Sequence, residues 1–94
     1  MREIERASAF KRDYKRMRAS PRYRAVLDAL LSAVFSQLTS DQPLDSRHHD
    51  HELSGEWKEY RECHLKPDLV LIYQKPDADT LRLVRLGSHS ELFE

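Results

Sequence analysis

The sequence has little of several residue types, and each scarcity excludes a class of protein. A single cysteine, Cys63, excludes an internal disulfide and fits a reducing cytosol. Two glycines and four prolines argue against a disordered or low-complexity chain. No run approaches the roughly 18 apolar residues that a membrane span needs. Because the N-terminus is charged from Arg2 onwards and has no apolar signal region, we expect a cytoplasmic protein without a membrane partner.

The chain has no net charge, but its charges are segregated. Residues 1–24 contain nine Lys or Arg against three acids, whereas residues 41–62 contain seven acids against three Lys or Arg. A basic face on a neutral protein is typical of a polyanion partner such as RNA. On charge alone, a solvated helix face is the better explanation.

Hydrophobic periodicity predicts one α+β domain over residues 1–94. Ile4 lies in a short edge strand. Ser8 is a candidate cap for a first helix, and the pair Ser20-Pro21 is typical of the start of a second. The second helix has one apolar stripe, made by Tyr23, Val26, Leu27, Leu30, Leu31, Val34 and Leu38.

The second half of the chain predicts a three-strand meander after a polar connection at residues 39–55. The strands are Trp57–His64, Leu69–Tyr73 and Leu81–Leu86, and residues 88–93 form a short tail of one helical turn. The middle strand, LVLIY, is apolar throughout and so should be buried on both faces. The expected architecture is a short strand and two helices packed on an antiparallel sheet.

Histidines mark the points where these elements begin and end. Three of the five fall in RHHDH, Arg47 to His51, which can be a metal site, an acid/base cluster or a polar loop. His64 ends the first meander strand and Asp68 begins the next, so antiparallel pairing should bring them together. His89 follows the last strand.

Two histidines can divide the roles of general base and general acid near neutral pH. RNA supplies its own nucleophile, the 2′-OH, and a cation such as Arg85 can stabilise the charge that grows on the phosphate. Such chemistry needs no metal and no cofactor. Each histidine taken alone is more often an ordinary surface residue, so the hypothesis depends on the set.

Two other site types remain open. His48 and His51 with Asp50, plus His64 or Asp68, can supply metal ligands, although no H-E-x-x-H or C-x-x-C spacing is present. A cysteine nucleophile is disfavoured, because adjacent strand residues point to opposite faces and Cys63 therefore cannot pair with His64.

A family resemblance covers Asp50 to Phe93, nearly half of the chain. The motifs are DH-x-L-x-G-x-W-K-x-Y-R, then H-x-x-P-D, then LIY, then R-x-G-x-H-x-x-L-F. They resemble the YafQ branch of the RelE-like toxins of bacterial type II toxin–antitoxin systems. The resemblance implies a ribosome-dependent endoribonuclease, an mRNA interferase that cuts mRNA in the ribosomal A site without a metal.

The resemblance also implies a residue set: His51, His64, Asp68, Arg85, His89 and Phe93. In it His89 is the general acid, Arg85 the phosphate clamp and Phe93 the aromatic that positions a base. The remaining three share the base and orienting roles, and His48 and His49 are expected to be solvated loop residues.

The implied partners are the ribosome small subunit, mRNA and a small cognate antitoxin. The expected complex has two toxins and two antitoxins, and contacts operator DNA only through the antitoxin. Two rival hypotheses remain: a non-enzymatic toxin of the same superfold that inhibits DNA gyrase, and a metal-bound RNA-binding module.

Overall fold

Three helices and five strands make up the chain in a computed structural model that describes residues 1–93. In chain order these are β1 (Glu3–Arg6), α1 (Ser8–Ala19), α2 (Leu27–Thr39), β2 (His51–Glu52), β3 (Arg61–Lys66), β4 (Leu69–Gln74), β5 (Thr80–Gly87) and α3 (His89–Phe93). Single 3-10 turns occupy Ser46–His48 and Gly55–Trp57. Within residues 1–93, no helix has the length and apolar character that crossing a membrane requires.

The strands form one sheet in the order β1-β5-β4-β3-β2. The predicted α+β class and the antiparallel meander β3-β4-β5 are confirmed. The sheet is mixed, however, because β1 pairs with β5 in parallel, with Ile4 opposite Leu81. Parallel neighbours need a long crossover, and here α1, α2 and the strands β2, β3 and β4 come between the two in the chain.

The middle strand β4 is buried on both faces, as its sequence predicts. Leu69, Leu71 and Tyr73 pack into the cluster formed with α1 and α2, and each is at most 1% exposed. Val70 and Ile72 point to the opposite face and pack with α3. The second face carries the candidate site, so β4 is the partition between the core and the site.

The start of the second helix was wrongly predicted. Residues 21–26 are turns, and α2 begins at Leu27 rather than at Ser20-Pro21. Val26 consequently lies outside the helical stripe and is 41% exposed. The turns are stabilised from elsewhere in the chain, since the hydroxyl of Tyr23 donates to Asp68.

Three smaller boundaries also differ from the prediction. Ser8 is the first residue of α1 rather than its cap, because Ala7 occupies the cap position without a side-chain hydrogen bond. The predicted polar connection contains the short strand β2. Trp57 lies in a 3-10 turn, so β3 begins only at Arg61; the positive φ of Gly55, 66°, opens this turn.

Candidate active site

The sheet register brings two histidines onto one buried carboxylate. His51 of β2 lies directly opposite Glu62 of β3. His64 follows Glu62 by two positions on the same strand and therefore points to the same face. Glu62 is only 1% exposed, so its carboxylate faces these imidazoles rather than water.

The third histidine arrives from the far end of the chain. Val70 of β4 pairs with His64 on one side and with Gly87 on the other, so the end of β5 lies two strands from His64. The helix α3 begins at His89, two residues after Gly87, and turns back over this face. His51, His64 and His89 thus meet although 38 positions separate the first from the last.

One oxygen of Glu62 is the centre of the arrangement. Its Oε1 lies 2.5 Å from Nε2 of His89, 3.0 Å from Nε2 of His64 and 3.7 Å from Nε2 of His51. A buried carboxylate is costly unless it is paired and hydrogen-bonded, and His64 and His89 supply the hydrogen bonds. Glu62 was not predicted as a site residue, because in the sequence it resembles an ordinary solvated acid in a strand of alternating polarity.

The second ring nitrogens have partners as well. Nδ1 of His51 lies 3.0 Å from the carbonyl oxygen of Glu52, and Nδ1 of His64 lies 3.3 Å from that of Pro67. A carbonyl only accepts, so each Nδ1 carries hydrogen if the contact is a hydrogen bond. The side chains of His51 and His89 are 53% and 56% exposed, whereas that of His64 is 19% exposed.

Six aromatic rings form a row through this site. Successive ring centroids are 5.1–5.7 Å apart along His49, His64, His89, Phe93, Trp57 and Tyr60. These distances fall in the range of stacked and edge-to-face aromatic pairs. Phe93 therefore stands directly beside His89, and the histidine centre lies inside the row with rings on either side.

Asp68 has other partners than the histidines. Its carboxylate accepts from the Tyr23 hydroxyl at 2.7 Å and from Arg22 at 2.5 Å. The hydrogen bond from Tyr23 is the main cause of the lowered pKa of Asp68, and Arg22 adds to it. The structure thus places Asp68 at the start of β4 beside the site, where it ties the 21–26 turns to the sheet.

Arg85 is likewise held by a residue that the sequence did not single out. Its Nε and Nη2 donate to the carboxylate of Asp13 on α1 at 2.7 and 3.3 Å. Asp13 is 3% exposed and also accepts from Arg16 and from the Leu86 N–H. Burial by itself would raise the pKa of Asp13, but hydrogen bonds from Arg85, Leu86 and Arg16 outweigh it and lower that pKa.

The RHHDH segment is anchored rather than loose. Nδ1 of His48 lies 2.7 Å from the carbonyl oxygen of His64, so His48, expected to be a solvated loop residue, is half-buried and contacts the site. The carboxylate of Asp50 accepts from the Tyr73 hydroxyl at 2.5 Å and pairs with Arg61 at 3.3 Å. Burial and the bond to Asp50 raise the pKa of Tyr73. These contacts fix the strand β2 that carries His51.

Cys63 is fully buried on the opposite side of β3, as expected of a structural thiol. Burial raises the pKa of this thiol, which makes it a poor nucleophile. A metal is better accommodated by His51, Glu62 and His64, whose ligand atoms lie within 4.8 Å of one another. This set shares only His51 and His64 with the ligands that the sequence suggested. Imidazole and carboxylate ligands suit copper and zinc.

A comparison with known families identifies the chain. Residues 2–94 match the family described as the bacterial toxin of type II toxin–antitoxin systems, YafQ. The chain belongs to the YafQ family. The mRNA interferase toxin YafQ of Escherichia coli (strain K12) is 34% identical over 92 residues, 98% of this chain and 96% of that one. A relative from Haemophilus influenzae that carries the YafQ toxin name is 50% identical over 52 residues, which spans 52% of this chain and 51% of the relative.

Solved YafQ-like structures share the whole fold. A copper-bound mutant toxin from Helicobacter pylori has a TM-score of 0.86 and 40% identity, covering 99% of this chain and 100% of that one. The YafQ toxin in the E. coli DinJ–YafQ complex has a TM-score of 0.79 and 32% identity, with 100% of both chains covered. The family resemblance predicted from residues 50–93 therefore extends over the complete domain.

Proposed function

We propose that this YafQ-family toxin is a ribosome-dependent endoribonuclease that cuts mRNA in the A site through the 2′-OH. The observation that carries the proposal is the convergence of three imidazoles on the buried carboxylate of Glu62. The enzyme class, an endoribonuclease, is that of the curated mRNA interferase relatives. No step in the proposed chemistry uses a metal or a cofactor.

His51 is the proposed general base. With Nδ1–H donated to the Glu52 carbonyl, the neutral ring keeps its lone pair on Nε2, which faces the centre of the site. That nitrogen takes the 2′-hydroxyl proton while the 2′-oxygen attacks the adjacent phosphorus. The P–O5′ bond then breaks, and a 2′,3′-cyclic phosphate remains on the upstream fragment.

His89 is the proposed general acid for the leaving 5′-oxygen. Its Nε2–H is held by Glu62 at 2.5 Å, so the protonated ring presents Nδ1–H to the substrate. His64 faces an acceptor at each nitrogen and satisfies both only when both carry hydrogen. It is the proposed cation of the site, because the ring with both nitrogens protonated satisfies both acceptors and lies stacked beside His89, with ring centroids 5.6 Å apart.

The remaining expected residues stay in the proposal with roles that fit their contacts. Arg85 is a phosphate ligand whose position is fixed by Asp13. Because the long side chain is already ordered, the reaction does not lose entropy by ordering it. Phe93, whose ring centroid lies 5.1 Å from that of His89, positions a base by stacking. Asp68 orients the segment after His64 through Tyr23 and Arg22.

The proposed partners follow from family membership. Structures of the E. coli relative with DinJ show a toxin–antitoxin complex, and we propose a cognate antitoxin for this toxin too. The finer expectation is two toxins with two antitoxins, with operator DNA bound only through the antitoxin. The ribosome is the proposed site of action, and the exposed basic residues of α1 are the proposed contact with ribosomal RNA.

The deciding experiment maps mRNA 5′ ends by primer extension in a translating extract, with wild type and His89→Ala. We expect new ends at fixed codon positions, on translated message only, with wild type only. The ends should carry a 5′-hydroxyl and so resist ligation until a kinase acts. Arrested translation without new ends would instead point to a non-RNA target such as gyrase.

Metal binding at the same residues is a second candidate function. His51, Glu62 and His64 can bind one ion, and two similar H. pylori toxins were solved as copper-bound and metal-bound forms. A metal there would occupy the nitrogens on which the acid/base chemistry depends. We therefore expect added copper to lower cleavage and a chelator to leave the metal-free toxin fully active. Activity that a chelator abolishes and metal restores would favour a metal-dependent reaction.

A further inference from the structure

A cavity of about 690 Å³ lies between α2 and the end of β3, next to the histidine centre. Its apolar wall comes from Ala29, Leu30 and Ala33 of α2 together with Leu65 and Pro67. Small-molecule sites typically span about 300–1,000 Å³ and are mostly apolar with a few polar groups. The cavity therefore has the size and character of a binding site.

The cavity is continuous with the proposed catalytic centre through His64. That histidine lines the cavity and also contacts Glu62 at 3.0 Å. The ring of His49 stands edge-on to His64 with centroids 5.7 Å apart, and His48 holds the His64 carbonyl oxygen. His64 thus joins the cavity to the centre, and the two histidines that the catalytic proposal does not use lie beside it in the cavity wall.

The charges at the rim suit an anion. Arg47 and Lys66 line the cavity and are exposed, and among the described residues that line it none is an Asp or Glu. That bias is local, because the chain as a whole has 16 basic and 16 acidic residues. A phosphodiester would be attracted by the rim, while a flat aromatic group would be accepted by the wall and the His49 ring.

We infer that this cavity is an RNA subsite for one nucleotide next to the scissile phosphate. Phe93 stands at one flank of the histidine centre, and the cavity opens at the other flank, at the His49 end of the ring row. The base stacks on His49 against α2, and Arg47 and Lys66 bind the flanking phosphate. The inference rests on the proposed ribonuclease function and adds the subsite that recognises one base of the codon.

A filled cavity tests the subsite without altering the histidines. Ala33→Phe puts a ring into the cavity from an exposed position on α2. Ser32→Phe is the matched control, because Ser32 is also exposed on the same helix but lines a separate groove beside α1. We expect Ala33→Phe to lower kcat/KM by about tenfold or more, the scale of one lost stacking contact, and to change which codons are cut. Ser32→Phe should leave both unchanged.

A binding measurement separates this inference from the function on which it rests. An NMR titration of wild type with a 2′-deoxy trinucleotide, which cannot be cut, should shift the amide signals of Ala29 and Ala33. Arg47→Ala should weaken that binding, and Ala33→Phe should abolish it. Shifts in a toxin that cuts no translated mRNA would refute the nuclease proposal and keep an RNA subsite. Equal cleavage profiles for Ala33→Phe and Ser32→Phe, or no shift at α2, would overturn the subsite.

Discussion

Replacing Asp13 by Asn should destabilise the toxin far more than a surface change on a helix. Asp13 receives four hydrogen bonds, two from Arg85, one from Arg16 and one from the Leu86 N–H, at 2.7–3.3 Å. An Asn keeps one acceptor oxygen, but its NH2 group would face donors and its charge is gone. Breaking a buried ion pair from one side costs about 3–5 kcal/mol. The whole free energy of unfolding of a small domain is only about 5–15 kcal/mol.

Urea unfolding followed by circular dichroism measures this effect. We expect the midpoint for Asp13→Asn to fall with an unchanged slope, which indicates lost stability rather than an altered unfolded state. Asp28→Asn is the control: its side chain is 62% exposed, its pair with Arg18 at 3.6 Å is of a kind that contributes about 0–1 kcal/mol, and the oxygen of an Asn still accepts from the Tyr14 hydroxyl. If both variants lose the same small amount, Asp13 does not anchor Arg85 as argued.

The same carboxyl predicts a pH dependence with a definite sign. The folded pKa of Asp13 lies below its ordinary value of 3.8, so the folded state binds this proton less readily than the unfolded state. Its stabilising contribution is therefore complete above the unfolded pKa, and it is lost as the pH falls through the folded pKa. The stability of wild type should drop below about pH 4, and Asp13→Asn should lack that part of the drop. A parallel decline in both proteins would contradict the assignment.

Three further changes test other parts of the site. Glu62→Gln should slow cleavage by about 10²–10⁴ with the circular dichroism spectrum kept, since the imidazoles lose the negative charge that they share even though Gln keeps an acceptor oxygen; a near-normal rate would leave Glu62 without a role. Tyr73→Phe should lower the free energy of unfolding by about 1–3 kcal/mol and lower kcat more than it changes KM, because Asp50 loses a donor and the strand that carries His51 is held less firmly. An unchanged kcat would show that the bond from Tyr73 to Asp50 does not position His51. Lys15→Ala should reduce the salt dependence of ribosome binding by about one unit of slope, and an unchanged slope would place the RNA contact elsewhere.

The sequence predicted those parts of the molecule that local pattern determines. LVLIY is buried on both faces, as its sequence predicts. His51, His64 and His89 do lie together, but on Glu62; His64 lies within β3 rather than at its end, and Asp68, expected beside it, binds Tyr23 and Arg22 instead. Buried charge was not predictable in the same way. Glu62 lies in an alternating strand and Asp13 among basic residues of a helix, so each resembles a solvated residue. Their partners are remote: Asp13 binds Arg85, 72 positions away.

The start of the second helix was predicted wrongly for a related reason. Ser20-Pro21 is a good local start signal, yet the chain forms turns until Leu27. The hydroxyl of Tyr23 donates to Asp68, and the guanidinium of Arg22 pairs with the same carboxylate. These contacts across 45 positions outweigh a capping preference of about 1 kcal/mol. Prediction from local signals cannot weigh a contact whose partner lies in another half of the chain.

The two buried carboxylates together set the geometry of the site. Glu62 pairs with Ile72 and Ile72 with Arg85, so Glu62 and Arg85 lie in one row of the sheet, separated by two strand spacings of about 4.7–4.9 Å each. Glu62 gathers the imidazoles at one end of the row. At the other end of the row, the pairing of β1 with β5 ends at Leu83, so no strand of residues 1–93 pairs with the outer edge of β5 beyond Leu83. The Asp13 carboxylate lies at this edge and accepts hydrogen bonds from the Leu86 N–H and from Arg85. Backbone hydrogen bonds of the sheet therefore fix the distance between the Cα atoms of Glu62 and Arg85, and the Asp13 carboxylate fixes where the Arg85 guanidinium lies. A substitution of Asp13 on α1 thus moves the guanidinium without touching a histidine.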